Sequence, residues 1–427
     1  MRCERGEVVT AVPVVAGGHQ VEDNCGADHR SAGRSGPHAP PATFVATPAV
    51  RDHRETAVRP DLKIPSDLLP ADGRFGSGPS KVRPEAIGRL ATVGSDLLGT
   101  SHRKPAVQDL VRRLQDGLAE LFSLPDGYEI VLANGGATAF WEMAAFGIVD
   151  GASQHYVFGE FSSKFAASVA AAPWLADPVE VVAEPGQRPA LTANPDVDVQ
   201  ALTHNETSTG VMMDVARPED DALVLVDATS GAGGLPVDLT QTDVYYFSLQ
   251  KGFASEGGLV VAICSPAAIE RILRVSAAGR YIPAFLDLVT AVENSRKHQT
   301  YNTPAISTLF LAAEQVDWMN GEGGLDAIVR EGERKAAHLY GWADERPWAS
   351  PFVSDPAARS LVVGTVDLDD AVPADDVNAV LRANGVLDTD AYRKLGRNQL
   401  RVGMFPAIPL ADVAAYTASV DWIVEQL

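Results

Sequence analysis

From Leu62 onward, apolar runs of four to six residues recur between stretches long enough to hold a helix. Seven such runs stand out, at residues 128–133, 155–158, 179–183, 199–204, 223–226, 244–248 and 259–264. Several are apolar almost throughout rather than at alternate positions, as a strand covered on both faces requires. Sheets of that kind are mostly parallel, because each parallel return needs a crossover, usually a helix. The chain is therefore predicted to be α/β, with a mostly parallel seven-stranded sheet between helices. Residues 107–122 fit that scheme: Leu110, Val111, Leu114, Leu118 and Leu121 share one helical stripe. Residues 284–295, 306–319 and 325–344 also read as helices. The tail then runs strand, helix, strand, helix over 361–366, 374–383, 399–403 and 410–427, a smaller α+β domain.

These patterns predict a large domain over 59–320, including an N-terminal arm, and a small domain over 321–427. Residues 1–58 are rich in Gly, Pro, Ala, His and Arg with neither periodicity, and are expected to be a disordered extension. Its histidines, His19, His29, His38 and His53, are too widely spaced to make a good ligand set. With 35 basic against 56 acidic residues, the formal charge of −21 disfavours nucleic acid and anionic membranes as partners. A small anionic substrate would need a local cluster of cations working against that field. Cys3, Cys25 and Cys264 show neither a disulfide framework nor zinc spacing, so a reducing cytoplasm and no metal are expected. The longest uncharged apolar run, 257–269, holds 13 residues, short of the roughly 18 that span a bilayer. The amino terminus carries Glu4 and Glu7 without an apolar core, unlike a secretory signal.

Three places carry candidate chemistry. Asn134-Gly135-Gly136-Ala137-Thr138 leaves a strand and opens a helix, the parts of a phosphate cup, although glycine turns also serve there without any ligand. The strand 223–226 ends in Asp227, where a carboxylate at the carboxyl edge of a parallel sheet can hold a cationic ring nitrogen or a metal; a helix N-cap is the other reading. The strand 244–248 runs into Leu249-Gln250-Lys251. Burial lowers a lysine's pKa and frees its amine for a Schiff base, whereas a solvated lysine would do neither. Asp227 and Lys251 are separated by one crossover length, which ties the two to one sheet edge.

Taken in order, GGAT at 135–138, NET at 205–207, Asp227, SLQK at 248–251 and NTP at 302–304 resemble the phosphoserine aminotransferases, class V members of the fold-type I pyridoxal 5'-phosphate (PLP) enzymes. FGSGPS at 75–80 and SHR at 101–103 agree, and the resemblance runs from about residue 64 to the end. It implies that Lys251 binds the cofactor covalently and shuttles the proton, and that Asp227 pairs with the pyridine nitrogen. It further implies that Gly136, Ala137 and Gln250 hold the phosphate, that Thr207 meets the phenolic oxygen, and that Phe161 stacks on the ring where the family often has Trp. Asn302 and Thr303 would reach the cofactor of a neighbouring subunit, implying a homodimer with shared sites; a helix start before Pro304 is the alternative. Arg401 would bind the substrate α-carboxylate, and His102 and Arg103 its phosphate. The family's His-Arg pair is replaced by Tyr392-Arg393-Lys394, so Arg393 and Lys394 are expected at the phosphate end, with Arg397 as the third candidate; a solvated basic loop is the other reading of all three.

The implied reaction exchanges an amino group between L-glutamate and 3-phosphohydroxypyruvate, giving 3-phospho-L-serine and 2-oxoglutarate in serine biosynthesis. 4-Phosphohydroxythreonine in pyridoxine biosynthesis is a further candidate substrate. The rivals are a serine- or alanine-to-glyoxylate transaminase, which would not need cations at a phosphate end, and a non-catalytic PLP-binding protein. A cysteine desulfurase is disfavoured, since Cys264 lies within an apolar strand.

Overall fold

The computed structural model describes residues 61–427, so the expectation for residues 1–58 lies outside the described residues. Helices α1 (Pro84–Leu97) and α2 (Pro105–Leu121) precede β1 (Glu129–Asn134), α3 (Ala137–Gly147), β2 (Ser153–Val157), α4 (Glu160–Ala170), β3 (Val179–Val182) and β4 (Val199–Thr203). A two-residue hairpin, β5 (Asn205–Glu206) with β6 (Val211–Met212), leads to β7 (Leu223–Asp227), β8 (Val244–Ser248) and β9 (Leu259–Cys264). Next come α5 (Pro266–Ala277), α6 (Leu288–Ser295), α7 (Ile306–Gly321) and α8 (Gly324–Asp344). The chain ends with β10 (Ala349–Pro351), β11 (Val363–Leu368), α9 (Ala374–Ala383), β12 (Gln399–Gly403) and α10 (Leu410–Gln426).

The large sheet has seven strands in the order β1-β9-β8-β7-β4-β2-β3. Only β9 runs against the others, pairing antiparallel with both β1 and β8. All seven expected strands are therefore present, in one sheet. Their continuous apolar sequences follow from a core on each face. Along β9, Leu259, Val261 and Ile263 enter the core under α2 and α7, while Val260, Ala262 and Cys264 enter the core under α3 to α6. Tyr245 and Phe247 of β8 divide in the same way from Val244 and Tyr246. The stripe expected on α2, from Leu110 to Leu121, is buried as read.

The smaller C-terminal domain is built on an antiparallel sheet, β10-β11-β12, covered by α8, α9 and α10. Its core joins Val366 and Leu368 to Val377, Leu400, Val402, Tyr416 and Val420. Ile64 and Phe75 lie in that same core. The arm expected to belong with the large domain thus packs into the small one, through backbone bonds Phe75 N–H to Leu387 O and Gly403 N–H to Phe75 O. Among the other boundaries that differ from expectation, two have a plain local cause. The helix expected from residue 284 starts at Leu288, because Asp287 accepts the Val289 N–H and caps it. The strand expected from 361 starts at Val363, because the Ser360 hydroxyl takes the N–H groups of Val362 and Val363.

Candidate active site

The carboxyl ends of β7 and β8, the start of α3 and the first turn of α4 converge on a cleft of about 680 Å³. Ligands gather at this edge of open α/β sheets, and the volume suits a small cofactor with a substrate. Gly135, Gly136, Ala137, Phe161, Thr207, Asp227, Gln250 and Lys251 all line it. The sequence reading named each of these.

Lys251 leaves β8 and turns inward, its ammonium donating to Ser77 O at 2.6 Å. Burial pulls its pKa down to about 8; Arg401 adds to the fall, and Glu206 and Asp227 oppose it. A segment from the N-terminal arm clasps this lysine. The Ser80 hydroxyl donates to Lys251 O at 2.6 Å, the Ser80 N–H donates to Gln250 O at 2.8 Å, and Gly78 packs against the side chain. A Cβ at Gly78 would lie 1.9 Å from Nζ, and its φ of +131° lies in a region that side chains rarely enter. The FGSGPS segment is thereby explained: it is the wall against which the lysine is held.

Asp227, 4% exposed, ends β7. One oxygen accepts the Thr229 N–H at 2.9 Å and the other the Trp141 indole N–H at 2.9 Å. Asp227 thus caps its own turn and also faces the cleft. Gly135, with φ +116°, turns the chain from β1 into α3. The Ser248 hydroxyl accepts the Ala137 N–H at 2.8 Å and fixes the helix start against β8.

Phe161 stands in the first turn of α4, and a buried carboxylate holds that turn. Glu206 accepts the N–H groups of Phe161 and Ser162, each at 3.0 Å, and the hydroxyl and N–H of Ser208. Complete burial pushes the Glu206 pKa up. Gly159 leaves room for it, since a Cβ there would lie 2.2 Å from Glu206 Cγ.

The cations divide. Arg401 donates to Thr207 O at 3.2 Å and to Asp390 O at 3.3 Å, with its guanidinium over the Tyr392 ring, so it sits behind Thr207 at the cleft's edge. Lys394 pairs with Glu160, which also binds Lys164, next to Phe161. Arg393 is exposed. Arg397 is turned away, held by Asp367 and stacked on Phe352. His102, Arg103, Asn302 and Thr303 do not line the cleft. They form a rim beside Asn134: His102 Nδ1 meets the Thr303 hydroxyl at 3.1 Å, Arg103 donates to Gln299 at 3.3 Å, and Asn302 N–H donates to Asn134 at 3.1 Å.

Residues 77–387 match the family model for the class-V aminotransferases. The chain belongs to this family. A phosphoserine aminotransferase from a Nocardioides species is 61% identical over 370 residues, covering 86% of this chain and 99% of that one. The crystal structure of a phosphoserine aminotransferase from Cytophaga hutchinsonii superposes with a TM-score of 0.76 at 27% identity, covering 82% of this chain and 99% of that one. A PLP-bound phosphoserine aminotransferase from Trichomonas vaginalis shares the fold, with a TM-score of 0.69 at 19% identity over 82% of this chain and 99% of its own. The protein is a PLP-dependent transaminase of fold type I.

The residues of the cleft fit that cofactor. Gln250 Oε1, Thr229 Oγ1 and Asn205 Oδ1 are buried at the cleft without a partner among the described residues, a cost that a polar ligand removes. An aldehyde would meet the amine of Lys251, a cationic ring nitrogen would meet Asp227, and a phosphate would meet the helix start at Gly136 and Ala137. The sequence reading missed Trp141, Glu206 and Ser248 as site residues. Ser248 and Glu206 were in quoted motifs, SLQK and NET, but nothing local marks which of their members turn inward. Trp141 carries no motif at all.

Proposed function

We propose that the chain is a phosphoserine aminotransferase, moving an amino group between L-glutamate and 3-phosphohydroxypyruvate to give 3-phospho-L-serine and 2-oxoglutarate. The observation that carries this reading is the opposition of one buried amine, Lys251, and one buried carboxylate, Asp227, across a single cleft, in a chain 61% identical to a phosphoserine aminotransferase. Bound pyridoxal phosphate supplies the electron sink that makes the substrate's Cα–H acidic. Lys251 Nζ would take that proton and hand it to the cofactor carbon that bore the aldehyde, and would carry out the reverse transfer in the second half-reaction. With a pKa near 8, it is balanced between holding and releasing a proton close to neutrality. Asp227 faces the ring nitrogen, and Phe161, fixed by Glu206, covers the ring face. Gly136, Ala137 and Gln250 take the cofactor phosphate, and Thr207 the phenolic oxygen.

Arg401 offers a planar fork to the α-carboxylate common to both substrates. Lys394 and Arg393 approach the far end of the substrate from the small domain, and Lys394 is already neighbour to Phe161 through Glu160. Arg397 has no part in this, since Asp367 occupies it. Asn302, Thr303, His102 and Arg103 serve the site of a second copy of the chain. Their place on a rim outside their own cleft supports a homodimer, as do the exposed Tyr281, Phe285 and Tyr301. Among the described residues no helix is long and apolar enough to cross a membrane, and we read the enzyme as cytoplasmic.

The test is the visible absorption of the purified, cofactor-loaded protein. Glutamate is expected to bleach the band and 3-phosphohydroxypyruvate to restore it. A band unmoved by glutamate but bleached by serine or alanine and restored by glyoxylate would replace this reading with a glyoxylate-type transaminase.

A further inference from the structure

Trp141 lies one helical turn after Ala137 on α3, so its side chain shares a face with the residue that opens the helix toward the cleft. The ring is 6% exposed, packed among Val131, Phe140 and Phe165 and stacked on Phe165 with centroids 6.3 Å apart. A buried indole N–H needs an acceptor. Here it finds the side chain of Asp227, at 2.9 Å, rather than a backbone carbonyl. Trp141 also lines the cleft.

The choice of donor has chemical consequences. An arginine or lysine in this place would form an ion pair with Asp227 and cancel its charge. The indole is neutral: it orients the carboxylate and leaves the full negative charge for a cation in the cleft. A carboxylate has about four lone-pair positions. Trp141 and the Thr229 N–H occupy one on each oxygen, which locks the plane of the group; the Tyr246 hydroxyl also lies close to it, and Asp227 still lines the cleft. We infer that Trp141 is a positioning residue for transamination, holding Asp227 in the one orientation that meets the cofactor's ring nitrogen. This rests on the reading of Asp227 given above.

The experiment measures the dissociation constant of pyridoxal phosphate by equilibrium dialysis for the full-length protein and for Trp141→Phe, Asp227→Asn and the double variant. Trp141→Phe is expected to weaken binding about tenfold or more, the scale of one hydrogen bond to a charged group. If Trp141 acts through Asp227, adding Trp141→Phe to Asp227→Asn weakens binding little further. Independent, multiplying losses would overturn the inference. Wild-type binding by Asp227→Asn alone would instead overturn the reading of Asp227. Two readouts separate positioning from mere packing. The pH at which the bound cofactor's visible band titrates is expected to move in Trp141→Phe, while the melting temperature of the cofactor-free protein holds. A lowered cofactor-free melting temperature with an unmoved titration would mean that the ring is only filler. Should Trp141→Phe fail to fold, Trp141→Gln retains a neutral side-chain N–H and is expected to stay within about threefold of wild-type affinity. A tenfold loss in that variant, with normal cofactor-free melting, would overturn the proposal.

Discussion

Replacing Arg401 with glutamine should slow the covalent capture of the cofactor, even though capture involves no substrate. Only the neutral amine of Lys251 attacks an aldehyde, so capture below the lysine's pKa follows the neutral fraction. At pH 7 an amine with its pKa at about 8 is roughly 300-fold richer in the neutral form than one at the ordinary 10.5. Burial is the main cause and Arg401 the next, its positive charge disfavouring a second one nearby. Removing that charge raises the pKa, by about one unit for a close charge in a partly buried site, so capture at pH 7 falls about tenfold. Cofactor-free protein is mixed with excess pyridoxal phosphate in a stopped-flow instrument, and the growth of the visible band is followed from pH 6 to pH 10. The cofactor's own titrations affect wild type and variant alike and cancel in their ratio. That ratio should fall from about ten at pH 7 toward one above pH 9. A wild-type rate that climbs without a break through pH 10, or an Arg401→Gln midpoint that is unmoved or lower, would refute the argument.

Three further outcomes follow from particular contacts. Gly78→Ala places a methyl 1.9 Å from Lys251 Nζ at a φ of +131°; with strain of about 1–3 kcal/mol, capture should slow at least as much as in Arg401→Gln, with the far-ultraviolet circular dichroism unchanged. Gly159→Ala drives a Cβ to 2.2 Å from Glu206 Cγ, and the carboxylate has no free space to enter; a loss of about 2–4 kcal/mol is expected from overpacking and broken hydrogen bonds, read as a lower melting temperature together with weaker cofactor binding. Lys394→Ala should raise the KM for 3-phosphohydroxypyruvate about tenfold and that for glutamate less. Glu160→Gln, which releases Lys394, should not raise the KM for the phosphorylated substrate; equal rises for both substrates in Lys394→Ala would remove Lys394 from the phosphate end.

Much of the architecture was legible because it depends on periodicity. Apolar runs such as 223–226 and 259–264 show that both faces of their strands are covered, whatever covers them, and a residue that ends such a run must stand at the sheet's edge. Asp227 and Lys251 were found in that way, and the family's ordered motifs supplied the cofactor. The exceptional direction of β9 was not legible, because an apolar strand has the same composition whichever way it runs.

What the tertiary structure alone decided are the meetings between residues far apart in the chain. Trp141 and Asp227 are 86 positions apart, and nothing near either residue signals the other. The arm's Ile64 and Phe75 pack in the C-terminal core, where the backbone at Leu387 and Gly403 pairs with Phe75 and the Asn384 side chain accepts the Ile64 N–H. Of the basic residues in the loop before β12, Lys394 turns to Glu160 and Arg397 to Asp367, a division set by which carboxylate each side chain can reach once the two domains have folded. Local sequence governs torsions and the faces of helices and strands. Partners for side chains are settled by the path of the chain through space.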